Sequence, residues 1–96
     1  MKVVLTAKAE DDLIHIADYI ARAKPEHAIS FIRELRDATL QLGDLHGIYP
    51  ILSRYENLRL RRGVQGNYLI FFRVHRRQVV VVRILNGAMD LDPLLS

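Results

Sequence analysis

Cysteine is absent from the 96 residues, which removes disulfide bridges, thiol nucleophiles and cysteine-ligated zinc at once. Long apolar runs are missing too, and none approaches the roughly 20 residues that a membrane helix needs. The opening MKVVLTAKAEDD reaches acidic residues too early for a signal peptide, so a cytoplasmic protein with no membrane association is expected. The scarcest commodity is negative charge in the middle of the chain. Residues 54–83 hold eight arginines (Arg54, Arg59, Arg61, Arg62, Arg73, Arg76, Arg77 and Arg83) against Glu56 alone. Residues 1–53 hold six Lys/Arg against eight Asp/Glu, and residues 84–96 add Asp90 and Asp92, so the overall charge of +3 conceals a basic centre. Arginine suits planar, two-point contact with carboxylate or phosphate. Such a stretch is either a solvated face that keeps strands soluble or a docking surface for something acidic.

What is present is ordinary for a globular protein. Half the residues are apolar and 26% are charged, too apolar a mix for a disordered chain. The length fits one domain spanning residues 1–96.

The pattern along the chain predicts an α+β sandwich in the order β-α-α-β-β-β. Met1–Leu5 reads as a short strand, and Thr6 as the N-cap of a helix whose first turns carry Glu10, Asp11 and Asp12. Ala9, Leu13, Ile16, Ala17 and Ile20 form its apolar stripe, with Asp12, Asp18 and Arg22 expected mainly off it. Pro25 opens a second helix with Ala28, Phe31, Ile32, Leu35, Ala38, Thr39 and Leu42 on its apolar face, and Gly43 is expected to end it. The short link at Ala23-Lys24 makes the two an antiparallel helical hairpin. An irregular connection over residues 44–57 leads to three strand-like runs, Leu58–Val64, Asn67–Val74 and Gln78–Leu85. Tight links at Gln65-Gly66 and His75-Arg76-Arg77 join them into a three-stranded antiparallel meander, one face of which the hairpin would cover. Arg76, Arg77 and Arg83 flank the valine-rich last strand as charged gatekeepers against aggregation.

This order of elements resembles the ParE branch of the ParE/RelE superfamily of bacterial toxins. The helical stretch LTAKAEDDLIHIADYIARAKPEHAISFIRELRDATLQL carries part of the likeness, with Tyr49-Pro50 in the connection after it. The more specific part is NYLIFFRV followed by VVVVRILNGAMD, ending at Asp90. The resemblance implies the toxin half of a type II toxin–antitoxin pair, bound in a hetero-oligomer by a ParD-like antitoxin. ParE-like members are associated with inhibition of DNA gyrase, whereas RelE-like members cleave messenger RNA on the ribosome. Both share the fold, so the site has to choose between them.

Cleavage of RNA through the 2′-hydroxyl needs a general base, a general acid and positive charge on the phosphate. Arg61, Arg73 and Arg83 can supply the charge. After Arg83, however, there is no histidine, tyrosine, lysine or glutamate. Asn86 transfers no proton at neutral pH, and Asp90 and Asp92 are poor acids when exposed and ionised. ParE-like members often carry histidine where this chain has Asn86 and a basic residue where it has Met89. Glu56, Tyr68 and His75 are the remaining candidates, read first as solvated surface, core-edge aromatic and turn residue. His15, His27, His46 and His75 show no metal-ligand spacing, and no cofactor is expected. Direct nucleic-acid binding is not expected either, because no helix-turn-helix pattern is present and the arginines lie on strands.

Alternation points Arg59 and Arg61 outward, with Leu58 and Leu60 toward the helices, and leaves Arg62 at a bulge or strand end. Arg73 shares a face with Leu69 and Phe71. Arg83 shares one with Val79, Val81 and Leu85, where an unpaired charge is expensive, so a partner such as Asp90 is expected. The residues thus favour binding over catalysis, and the resemblance implies DNA gyrase as the target. Arg59, Arg61, Arg62, Arg73, Arg83, Asn86, Met89 and Asp90 are its candidate contacts with target or antitoxin. The alternatives are a ribosome-dependent mRNA interferase using Glu56, Tyr68 or His75, and a degenerate toxin that only binds its antitoxin.

Overall fold

The computed structural model describes residues 1–95. Strand β1 (Lys2–Leu5) leads through Thr6 into α1 (Ala7–Ala23). The Thr6 hydroxyl accepts from the Ala9 amide at 3.2 Å, a cap worth about 1 kcal/mol, and donates to the Val82 carbonyl at 3.0 Å. One side chain therefore starts the helix and ties it to the sheet. Lys24 separates α1 from α2 (Pro25–Leu45), which begins on proline. A 3₁₀ turn at His46–Ile48 and another at Ser53–Leu58 lead to β2 (Arg61–Gln65), β3 (Tyr68–His75) and β4 (Gln78–Asn86). A short helix, α3 (Asp92–Leu95), follows. No helix among the described residues is long and apolar enough to cross a membrane.

The expected β-α-α-β-β-β layout is present, with one feature that sequence order did not supply. The sheet runs β1-β4-β3-β2, and β1 lies parallel to β4 while the other pairs are antiparallel. The first strand thus docks beside the last.

Gly43 does not end α2, which continues to Leu45. Its role is close approach: a Cβ there would sit 2.4 Å from the Met1 carbonyl oxygen, and the Met1 ammonium donates to the Gly43 carbonyl at 2.9 Å. The second strand also starts later than its leucine–arginine alternation suggested. Leu58 belongs to the 3₁₀ turn, and Arg59 follows it in the left-handed region at φ 55°.

Both faces of the sheet are buried, not one. Against the helices pack Tyr68, Ile70, Phe72, Val79, Val81 and Ile84, together with Ala9, Ile16, Leu35 and Leu42. On the opposite face Leu60, Phe71, Leu85 and Leu95 form a second cluster, extended by Leu52, Tyr55, Leu91 and Leu94. The unbroken apolar run at residues 69–72 reflects this, because a strand buried on one face alternates and one buried on both does not. Leu60 consequently faces away from the helices, and Arg61, paired with Phe72, lies on the helix side.

A bulge in β4 decides where the charged residues go. Phe71 pairs with Arg83 and Phe72 with Val81, leaving Val82 as the extra residue. Val81 and Ile84 then both face the helices although they are three residues apart, and Leu85 faces the other way. The single face expected to hold Val79, Val81, Arg83 and Leu85 does not exist.

Candidate functional site

Past Val81, β4 has no neighbouring strand on its outer side, because β1 ends at Leu5 opposite that residue. Helix α1 takes over. The Asp12 carboxylate accepts three hydrogen bonds: from Arg83 Nε at 2.8 Å, from Arg83 Nη2 at 2.9 Å and from the Ile84 amide at 2.9 Å. Arg83 also reaches the Leu94 carbonyl with Nη1 at 3.4 Å. The bidentate contact with Asp12 holds the guanidinium above its ordinary pKa. Arg83 is therefore paired with Asp12 and not with Asp90, which is exposed and makes no ion pair among the described residues. The bulge puts Arg83 opposite Phe71, on the face of Leu85 rather than with Val79 and Val81, and its guanidinium reaches Asp12 around the edge of β4 that β1 leaves open. A sequence signal for Asp12 existed: it stands three residues after Ala9 and four before Ile16, on the buried stripe rather than off it.

The end of β4 is shaped by Asn86, whose side-chain oxygen accepts from the Ala88 amide at 2.9 Å and whose carbonyl accepts from Met89 at 3.1 Å. Gly87 donates to the Asn67 carbonyl at 2.9 Å. This turn places Met89, half exposed, between two grooves. One, of about 610 Å³, runs between α1 and the end of β4, lined mainly by His15, Tyr19, Tyr68, Leu85, Asn86 and Met89. Tyr19 is 65% exposed at its rim. The other, of about 430 Å³, lies toward the second face, with Arg54, Tyr55, Arg62, Asp90 and Asp92 at its walls.

In that second groove Asp92 accepts from both the Tyr55 hydroxyl and the Arg54 guanidinium, pinning α3 to the 3₁₀ turn. The Tyr55 hydrogen bond, with Arg54 assisting, lowers the Asp92 pKa, and the same bond raises that of Tyr55. The latch therefore contributes at neutral pH, weakens as pH falls through the folded pKa of Asp92, and weakens again as pH rises through that of Tyr55. An absorbance titration at 295 nm should show a tyrosine component ionising above the ordinary tyrosine range that Tyr55→Phe deletes. A deleted component that ionises at or below the ordinary range would remove the latch.

The remaining candidates are dispersed. Arg59 ends the 3₁₀ turn. Arg61 clamps the end of the helical layer by donating to the carbonyls of His46 at 3.3 Å and Tyr49 at 2.9 Å, so it does not point outward. Arg62 and Arg73 are exposed and away from the helices. Tyr68 is buried with its ring centroid 5.5 Å from that of Phe31 in an edge-to-face contact, while His75 sits at the far end of the same strand. Seven residues of strand separate them, about 23 Å, too far for joint proton transfer. Glu56 lies in a separate depression with Ile51, Ser53 and Arg59. No group of three His, Asp or Glu among the described residues can hold a metal ion.

A helical hairpin on a mixed four-stranded sheet, with the first strand parallel to the last, is an architecture found in solved toxin–antitoxin systems. A chain of the chromosomal ParDE TA system from P. aeruginosa superposes with TM-score 0.79 at 21% identity, covering 90% of this chain and 95% of that one. A chain of the toxin–antitoxin complex RelBE2 from Mycobacterium tuberculosis gives TM-score 0.54, also at 21% identity, with 92% of each chain covered. At such identities the likeness shows the fold alone. The family comes from the sequence: residues 3–91 match the family described as ParE toxin of type II toxin-antitoxin system, parDE, and the chain belongs to it. No curated protein matches the chain.

Proposed function

We propose that the protein inhibits DNA gyrase by binding it, without catalysis, and is neutralised by a ParD-like antitoxin. Membership of the ParE family supports the target class. The observation that carries the non-catalytic reading is the dispersal of proton-transfer groups. Glu56, Tyr68 and His75 occupy three separate places, and Asn86 spends its side chain on its own turn. Two of the eight candidate contacts, Arg61 and Arg83, are engaged inside the fold. Arg59, Arg62, Arg73, Met89 and Asp90 are the exposed ones available to a target.

The antitoxin reading draws on the two solved assemblies, each a toxin–antitoxin system. The groove between α1 and the end of β4 offers apolar contact through Tyr19 and Met89, with room for an amphipathic segment. Purified protein should block gyrase supercoiling while leaving ribosome-bound mRNA intact. Transcript cleavage with supercoiling untouched would replace this reading with an mRNA interferase. Silence in both assays with antitoxin binding kept would leave an antitoxin-binding protein only.

A further inference from the structure

The four strands and the turns within the β2–β4 meander contain no aspartate or glutamate. They carry Lys2, Arg61, Arg62, Arg73, Arg76, Arg77 and Arg83. Arg61 and Arg83 are used toward the helices, as described above. Lys2, Arg73, Arg76 and Arg77 cluster toward one end of the sheet, and none has an ion-pair partner among the described residues. Strict alternation from Phe71 puts Arg73 on the face away from the helices, and Lys2, adjacent to helix-facing Val3, lies there too. The helical layer, residues 7–45, holds eight of the eleven acidic residues. The molecule is thus polarised, with its negative side opposite its positive one.

The tip of this basic end has unusual backbone. His75 pairs with Gln78, so Arg76 and Arg77 form a two-residue hairpin turn, and both have positive φ, 50° and 62°. Such turns favour Asn-Gly, because a side chain with a Cβ is strained in the left-handed region. A pair of arginines is a costly choice for the turn alone. Gatekeeping the valine strand explains the charge, but it does not require both strained positions to carry it.

We propose that Arg76 and Arg77, with Arg73 and Lys2 behind them, contact the phosphate backbone of double-stranded DNA. Charge complementarity selects a polyanion, and the fork of arginine suits phosphate oxygens. A further groove, of about 480 Å³ and lined by Leu58, Leu60, Val82 and Leu94, extends to Arg73, but no groove reaches Arg76 and Arg77, which leaves an acidic peptide without apolar anchorage at the hairpin tip. No exposed phenylalanine, tyrosine or tryptophan stands beside these cations to form a stacking platform for unpaired bases, so a duplex fits better than a single strand. The lack of a reading helix excludes base readout but not backbone contact, which needs only placed cations. The interaction is sequence-independent and salt-sensitive, and it does not depend on the gyrase assignment.

The test uses the full chain, a short mixed-sequence DNA duplex, a single-stranded RNA and a polyglutamate peptide. The duplex should bind with a dissociation constant of about 1–100 µM, steeply weakened by salt. In Arg76→Asn/Arg77→Gly the melting midpoint should rise by about 4–8 °C as strain is relieved. The same variant should bind the duplex about tenfold more weakly, with the logarithmic salt slope reduced by about 2. Arg33→Gln/Arg36→Gln, an equal charge change on exposed positions of α2, should leave both binding and slope unaltered. Four outcomes overturn the proposal: no duplex binding at low salt, tighter binding of the RNA or the peptide, a turn variant that binds as well as the parent, or one that gains no stability.

Discussion

Asp12→Ala should destabilise the fold by about 3–5 kcal/mol, the range for removing one partner of a buried ion pair. The side chains of Asp12 and Arg83 are only 11% and 17% exposed, so solvent does little to replace the lost carboxylate. The substitution strips Arg83 of its bidentate acceptor and leaves the Ile84 amide without its own. Urea denaturation is the measurement, and a loss under 1 kcal/mol would contradict it. The double variant Asp12→Leu/Arg83→Met sharpens the point. Replacing a buried pair by apolar groups is often neutral, so it should recover most of the stability. Recovery should still be incomplete by about 1–3 kcal/mol, because the Ile84 amide keeps its desolvation cost. Full recovery would show that the third hydrogen bond contributes nothing.

A chain ending at Asp90 should be less stable by about 3 kcal/mol, from the lost burial of Leu91, Leu94 and Leu95 less the entropy regained by the freed segment. Its departure uncovers Phe71, Leu60 and Leu85, which are 1%, 3% and 4% exposed in the intact protein. The helix-side core does not touch this segment, so far-UV circular dichroism should keep its helical signal. Binding of an apolar dye should rise at the same time. A truncated chain with unchanged dye binding and unchanged midpoint would mean that the second cluster is not a working core.

Much of this architecture can be read from spacing. The stripes of α1 and α2 reflect a repeat of three and four residues, a strong signal over helices of 17 and 21 residues. The valine and aromatic runs announce strands in the same way. What resists reading is non-local. Neither the docking of Met1 against Gly43 nor the pairing of β1 with β4 leaves a periodic trace, since each depends on where a distant segment returns. The bulge at Val82 is also silent, because VVVV reads identically with or without an extra residue. One unseen bulge sufficed to put Arg83 on the wrong face. Asp12 is different: its position on the stripe was legible, but a carboxylate there reads as an exception until the arginine that donates to it is known. Arg61 follows the same logic, since the carbonyls it clamps come from an irregular loop.

The pairing of β1 with β4 also orders events in time. The Thr6 hydroxyl bonds the Val82 carbonyl across 76 residues, and nothing closer in sequence substitutes for it. A ribosome adding roughly 5–20 residues per second needs several seconds to reach that partner. The helical hairpin, built from local contacts, can form in microseconds to milliseconds, while β1 waits. A nascent chain interrupted before β4 emerges lacks the strand that seats its N-terminus and supplies the Arg83 partner of Asp12. Completion of the sheet is thus reserved for chains translated through β4, and a product interrupted before it cannot present the finished surface.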